Sequence, residues 1–92
     1  MNWEISIKGF QSFLRLERSL SKNSIVAYTE DVHLLVQYLA DKKLELGPDQ
    51  LEHSHLTGFI EWLNKTKRVA ASQSRILSGI RAFYKYLLLE NL

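Results

Sequence analysis

With 92 residues, 46% of them hydrophobic and 24% charged, the chain has material for one small domain with a single compact core, not for several domains or a disordered polymer. It has no Cys, which excludes a disulfide framework and thiolate metal sites and fits a reducing, cytoplasmic setting. The longest apolar run, 87–89, falls far short of the ~20 residues that span a bilayer, and residues 1–10 lack the basic start and apolar block of a signal peptide, so no membrane partner is expected.

The apolar spacing predicts four helices and no strands, an all-α compact four-helix domain. The first covers residues 3–18, with a stripe of Trp3, Ile7, Phe10, Phe13 and Leu14. Gly9 interrupts it at a cost of ~1 kcal/mol relative to Ala. A cluster of cap-forming residues, 19–24, follows, in which Ser21 is the expected N-cap of a second helix that runs to residue 43. Its apolar arc is Ile25, Tyr28, Val32, Leu35, Val36 and Leu39, and Lys42 and Lys43 suit the negative end of the helix dipole. Gly47-Pro48-Asp49 is the clearest break. A third helix, 55–65, is expected to be capped by Ser54 and to bury Leu56, Phe59, Ile60 and Leu63. Lys67-Arg68-Val69-Ala70 then leads to a fourth helix, 72–89.

That fourth segment is the most informative. Ile76, Leu77, Ile80, Phe83, Tyr84, Leu87 and Leu88 fall on one arc at ~100° per residue. The opposite arc holds Ser74, Arg75, Ser78, Arg81 and Lys85, with no carboxylate before Glu90. Net charge over the whole chain is only +2, but it is unevenly spread. Residues 1–66 carry seven Lys/Arg and nine Asp/Glu, whereas residues 67–92 carry five and one, so the basic excess points to a polyanion met by the last quarter of the chain.

Catalytic signatures are missing. There is no Gly-rich phosphate loop and no nucleophile elbow. His53 and His55 point to different sides of a helix and His33 stands alone, which reads as surface histidine rather than metal site; no cofactor is expected. Glu30 and Asp31 are adjacent and do not face each other as an acid/base pair; Asp31 is expected to cap or to pair with a cation. Tyr28, Tyr38, Tyr84 and Tyr86 have no sequence-local base, and Tyr28 and Tyr84 read as rim-of-core residues.

Donors cluster at two helix starts, Lys22-Asn23-Ser24 and Ser72-Gln73-Ser74-Arg75. A helix start offers free N–H groups and partial positive charge, which suits phosphate; Asn and Gln match an adenine edge and Arg a guanine edge. On residue types alone, simple capping accounts for the same residues. Ser78 and Arg81 extend the polar arc beyond what a cap requires. Gly79, a poor helix residue, makes sense if a phosphate or another helix approaches closely there.

Two stretches carry a family resemblance. Phe13-Leu14-x-x-Glu17-x-x-Leu20-Ser21-x-Asn23-Ser24-x-x-x-Tyr28-x-x-Asp31-Val32 resembles the opening of the core-binding domain of tyrosine recombinases, or phage integrases. Ser74-Arg75-Ile76-Leu77-Ser78-Gly79-Ile80-Arg81-Ala82-Phe83-Tyr84-Lys85-Tyr86-Leu87 resembles the last helix of that domain, where Arg-Leu-Ser-Ala-Leu-Arg-x-Phe-Tyr-x-Tyr-Leu is typical. The Xer-type resolvases are the nearest relatives in pattern. The resemblance implies a four-helix, SAM-like DNA-binding domain in which the second and fourth helices face the major groove of double-stranded DNA. By residue it implies DNA contacts from Lys22, Asn23 and Ser24, and from Ser72, Gln73, Arg75, Ser78, Arg81 and Lys85. It further implies a C-terminal catalytic domain, which holds the family's nucleophile and lies outside these residues, so that the fragment alone is inactive. Partner protomers of a recombinase tetramer and a bacterial cytoplasmic, nucleoid-associated location follow from the same resemblance.

Some apolar residues fit no core stripe: Ile5, Leu16, Leu34, Tyr38 and Trp62. They are expected either to pack at the rim or to contact a catalytic domain or neighbouring protomer. The rival to DNA binding is a helical protein-interaction module whose extra apolar residues hold a partner helix. A helix-turn-helix regulator is disfavoured because no short helix pair is joined by a tight Gly turn.

Overall fold

Four helices and one short turn follow each other in the computed structural model, which describes residues 2–66 and 70–90. They are α1 (Trp3–Leu16), α2 (Lys22–Asp41), α3 (His53–Lys65) and α4 (Ala70–Leu89), with a 3₁₀ turn at Pro48–Gln50. The connector at Lys67, Arg68 and Val69 lies outside the described residues. The all-α, four-helix expectation holds, and each boundary has a local cause.

Asn2 caps α1, its Oδ1 accepting from the Ile5 N–H at 3.1 Å. The helix ends two residues before the expected position 18: Ser19 adopts φ 50°, and the Leu20 N–H turns back to the Leu14 carbonyl at 3.1 Å. Ser21 caps α2 as expected, its hydroxyl accepting from the Ser24 N–H at 3.2 Å. That helix closes at Asp41 rather than residue 43. Lys43 takes the left-handed conformation, φ 56°, and the Leu44 N–H reaches the Leu39 carbonyl at 2.8 Å, a terminal wrap that satisfies otherwise orphaned carbonyls. The cap of α3 is Glu52, not Ser54, because His55 Nδ1 accepts from the Glu52 N–H at 2.9 Å and starts the helix two residues early. α4 likewise begins two residues earlier than expected, at Ala70.

α2 and α4 form the broadest contact, α1 lies across both, and α3 packs on α2. One half of the core joins Leu35, Tyr38, Leu39, Phe59, Trp62, Leu63, Ile76 and Ile80. The other joins Ile7, Phe10, Leu14, Val32, Phe83, Tyr86 and Leu87. Tyr38 and Trp62, read from sequence as leftover rim residues, therefore belong to the core; the Trp62 indole N–H donates to Asp41 Oδ2 at 3.0 Å. The connection from α2 to α3 is pinned by two aromatic donors: Trp3 Nε1–H to the Leu46 carbonyl and the Tyr84 hydroxyl to the Pro48 carbonyl, each 2.7 Å. No helix is long and apolar enough to cross a membrane among the described residues.

Candidate nucleic-acid interface

The orientation of α4 decides what its polar residues can do, and it differs from the sequence expectation. Its buried positions are Ile76, Gly79, Ile80, Phe83, Tyr86 and Leu87, while Leu88 is 76% exposed. At ~100° per residue the buried arc is centred roughly 60° away from the expected stripe. The rotation brings Gly79 and Tyr86 inward and carries Arg75 to the seam with α2. A helix flanked by partners on two sides buries a wider and differently centred arc than its most hydrophobic residues suggest.

At that seam sits Asp31, fully buried on α2. Arg75 Nη2 donates to its Oδ1 at 2.8 Å and Nη1 to its Oδ2 at 3.2 Å, a two-point ion pair. Of the two roles expected for Asp31, a cap or a partner for a cation, it takes the second, with Arg75. Burial pushes its carboxyl up from 3.8 to about 6, the largest effect; the charge and hydrogen bonds of Arg75 pull it down and Glu30 adds to the rise. Gly79 answers the same approach from α4. A Cβ built there lies 2.8 Å from the Asp31 Cβ and overlaps its carboxylate, so the close neighbour at Gly79 is another helix.

The predicted DNA-contacting residues divide into four sets. Ser24 on α2 and Arg75 and Ser78 on α4 line one shallow depression, together with Ala27 and Tyr28. Ser78 also borders an adjoining groove between α1 and α4, with Arg81 and Lys85 on its rim and Phe10, Phe13 and Tyr86 among its apolar lining. Lys22 and Asn23 are exposed on the first turn of α2, two and one residues before Ser24. The other two diverge. Ser72 opens on the opposite side of the Arg75 seam, beside Glu30 and His33. The Gln73 amide donates to Asn64 Oδ1 on α3 at 2.6 Å, directing it towards that helix.

Sequence reasoning missed Arg18. The turn at Ser19 leaves it on the rim of the α1–α4 groove with Arg81 and Lys85. Its signal was available only as a cation just before the cap cluster; nothing in α1's period placed it beside α4. Among the described residues, Arg18, Lys22, Arg81 and Lys85 make no ion pair, and no carboxylate lines the groove. No three His, Cys, Asp or Glu side chains converge as a metal site among the described residues. The Tyr84 hydroxyl is spent on Pro48, and burial beside Asp49 pushes its ionisation well above the ordinary tyrosine range; burial also raises Tyr86.

The model of the phage integrase N-terminal SAM-like domain matches residues 7–91. The chain belongs to that family. Among curated proteins this family member is 34% identical over 82 residues to the tyrosine recombinase XerD of Listeria innocua, covering 89% of the chain and 28% of the relative. It is 33% identical over 89 residues to XerD of Oceanobacillus iheyensis (97% of the chain, 30% of the relative). It is 34% identical over 86 residues to the tyrosine recombinase XerC of Leptospira interrogans (92% and 27%). The chain thus spans less than a third of the length of these relatives. No solved structure matches it.

Proposed function

We propose that this domain grips the recombination site of a site-specific tyrosine recombinase or integrase, with the starts of α2 and α4 against the major groove. One observation carries the reading. The packing of α2 on α4 gathers Ser24, Arg75 and Ser78 into one depression, and Arg81, Lys85 and Arg18 continue from it as a cationic strip whose described lining residues include no carboxylate. Hydroxyls and a constrained guanidinium at the depression suit base edges and nearby phosphates, whereas the three long cations suit the phosphate backbone. Lys22 and Asn23 extend the contact along the first turn of α2, where free N–H groups favour an anion.

In this reading the parent protein carries a C-terminal catalytic domain that cuts DNA, forms a phosphotyrosine link and religates, within a tetramer of protomers in the bacterial cytoplasm. The 92-residue domain supplies grip and register and has no strand-cleaving activity of its own. Ile5 and Leu16, 71% and 70% exposed on α1, are the positions offered to the catalytic domain or to a neighbouring protomer. The family to which the chain belongs, and its relatives named as tyrosine recombinases, support this reading over a DNA-independent protein-interaction module.

The test is a fluorescence titration of the domain with labelled duplexes. Replacing Arg81 by Ala is expected to weaken binding to every sequence alike. Replacing Arg75 is expected also to narrow the gap between preferred and random sequences, by ~1–3 kcal/mol per base contact. Gln73, turned towards α3, is expected to matter less than either. No binding at ~50 mM salt by a domain shown to be folded would contradict the proposal.

A further inference from the structure

We propose that Asp31 is a positioning residue for DNA binding: from its buried place on α2 it fixes the direction of the Arg75 guanidinium beside Ser24 and Ser78. The inference rests on the DNA-binding reading above and adds to it a residue that touches no DNA itself.

Asp31 occupies both Nη atoms of Arg75 and is fully buried, while the Arg75 side chain remains 55% exposed. A guanidinium held along its Nη edge still presents Nε–H and the outward Nη hydrogens, enough for a phosphate or a base edge. An unrestrained arginine loses much rotamer freedom when it binds; one clamped beforehand has already lost it. The fold gains little else from this carboxylate. An apolar residue of similar size at such a seam is often as stabilising as a buried ion pair. Burial also disfavours the ionised form, since the carboxyl stands at about 6 rather than 3.8. The α4 side is shaped to admit the group, because only the missing Cβ of Gly79 leaves room for it. A costly charge, a cradle built for it and a half-exposed arginine at its end fit a device for aiming Arg75.

The experiment uses the 92-residue chain and a fluorescein-labelled, mixed-sequence duplex of about 30 base pairs, at about pH 7.5 and a series of salt concentrations. Asp31→Asn keeps the size and removes the charge. It is expected to weaken binding roughly 3- to 10-fold, the loss of one pre-ordered side chain, with the slope of log K against log salt unchanged because Arg75 keeps its charge. Arg75→Ala is expected to weaken binding at least as much and, where Arg75 meets phosphate, to lower the slope by ~0.9. The double variant is expected to bind like Arg75→Ala alone. Wild-type affinity for Asp31→Asn, or additive losses in the double variant, overturns the inference while leaving the DNA reading intact. Failure of the folded unsubstituted chain to bind overturns both.

A second measurement covers an Asp31→Asn chain that does not fold. Lowering the pH from about 7.5 to about 5 protonates the native Asp31 itself. Glu30 and His33 on α2 and Arg75 on α4 are the charged or titratable groups that share its depression, so the titration is run with His33→Gln. Relative to the same chain carrying Arg75→Ala, affinity is expected to fall with pH by the same roughly 3- to 10-fold. A constant ratio across that range overturns the inference.

Discussion

Replacing Gly79 by Ala sets helix propensity against packing, and the structure predicts which wins. Ala is favoured over Gly in a helix interior by ~1 kcal/mol, so an exposed Gly79 would make the substitution stabilising. Gly79 is instead buried, and the new Cβ would stand 2.8 Å from both the Cβ and the Cγ of Asp31. The carboxylate alone could rotate away, but its Cβ is fixed to the backbone of α2, so the helices must separate. Overpacking of this kind costs about 1–3 kcal/mol, and misalignment of the Asp31–Arg75 pair adds to it. With about 1 kcal/mol for the misaligned pair, and after subtracting the propensity gain of ~1 kcal/mol, a net loss of about 1–3 kcal/mol remains, which for a domain this size lowers the melting temperature by roughly 5–15 °C. Thermal unfolding followed by circular dichroism measures it. A melting temperature raised by several degrees would refute the account of the α2–α4 seam.

Further outcomes follow from the same contacts. The Asp31 carboxyl moves from 3.8 to about 6 on folding, so its stabilising contribution is complete below pH ~4 and is lost as pH rises through about 6. Urea unfolding should therefore show the stability of the native chain, relative to Asp31→Asn, declining by about 3 kcal/mol between pH ~4 and ~7; a constant difference contradicts it. Arg75→Ala strands Asp31 without a counterion and should cost about 2 kcal/mol at neutral pH, a figure discounted for the half-exposed guanidinium, and less near pH ~5 where the carboxyl is neutral. Tyr84→Phe removes the 2.7 Å hydrogen bond to the Pro48 carbonyl and should cost about 1–2 kcal/mol, read by the same unfolding measurement.

Much of this fold was legible in the chain. The inward residues of α1 follow from a plain helical period, and the Ser21 cap from a hydroxyl placed three residues before a free N–H. What escaped were features set by contacts between helices. His55 caps α3 through a side-chain acceptor that residue type alone does not advertise. Tyr38 and Trp62 lay off the main hydrophobic arcs yet are core, because α2 and α3 pack there on each other as well as on α4. The arc of α4 turned by roughly 60° because Gly79 and Tyr86 are weak signals of burial in a hydrophobicity pattern. For the candidate site, the sequence pattern pointed to donors at the starts of α2 and α4, and of these the fold gathers Ser24, Arg75 and Ser78 into one depression. The Asp31 clamp, the divergence of Ser72 and Gln73, and the arrival of Arg18 were not legible, since each depends on which helix lies next to which.

The central claim is that Arg18, Arg81 and Lys85 form a phosphate-binding strip continuous with the α2–α4 depression. Its most direct test is the salt dependence of duplex binding by the native domain and by the variant with all three replaced by Ala. Loss of the strip is expected to make the slope of log K against log salt shallower by about 2–3, close to ~0.9 per lost phosphate contact, with the fold unchanged. An unchanged slope in the folded triple variant would contradict it.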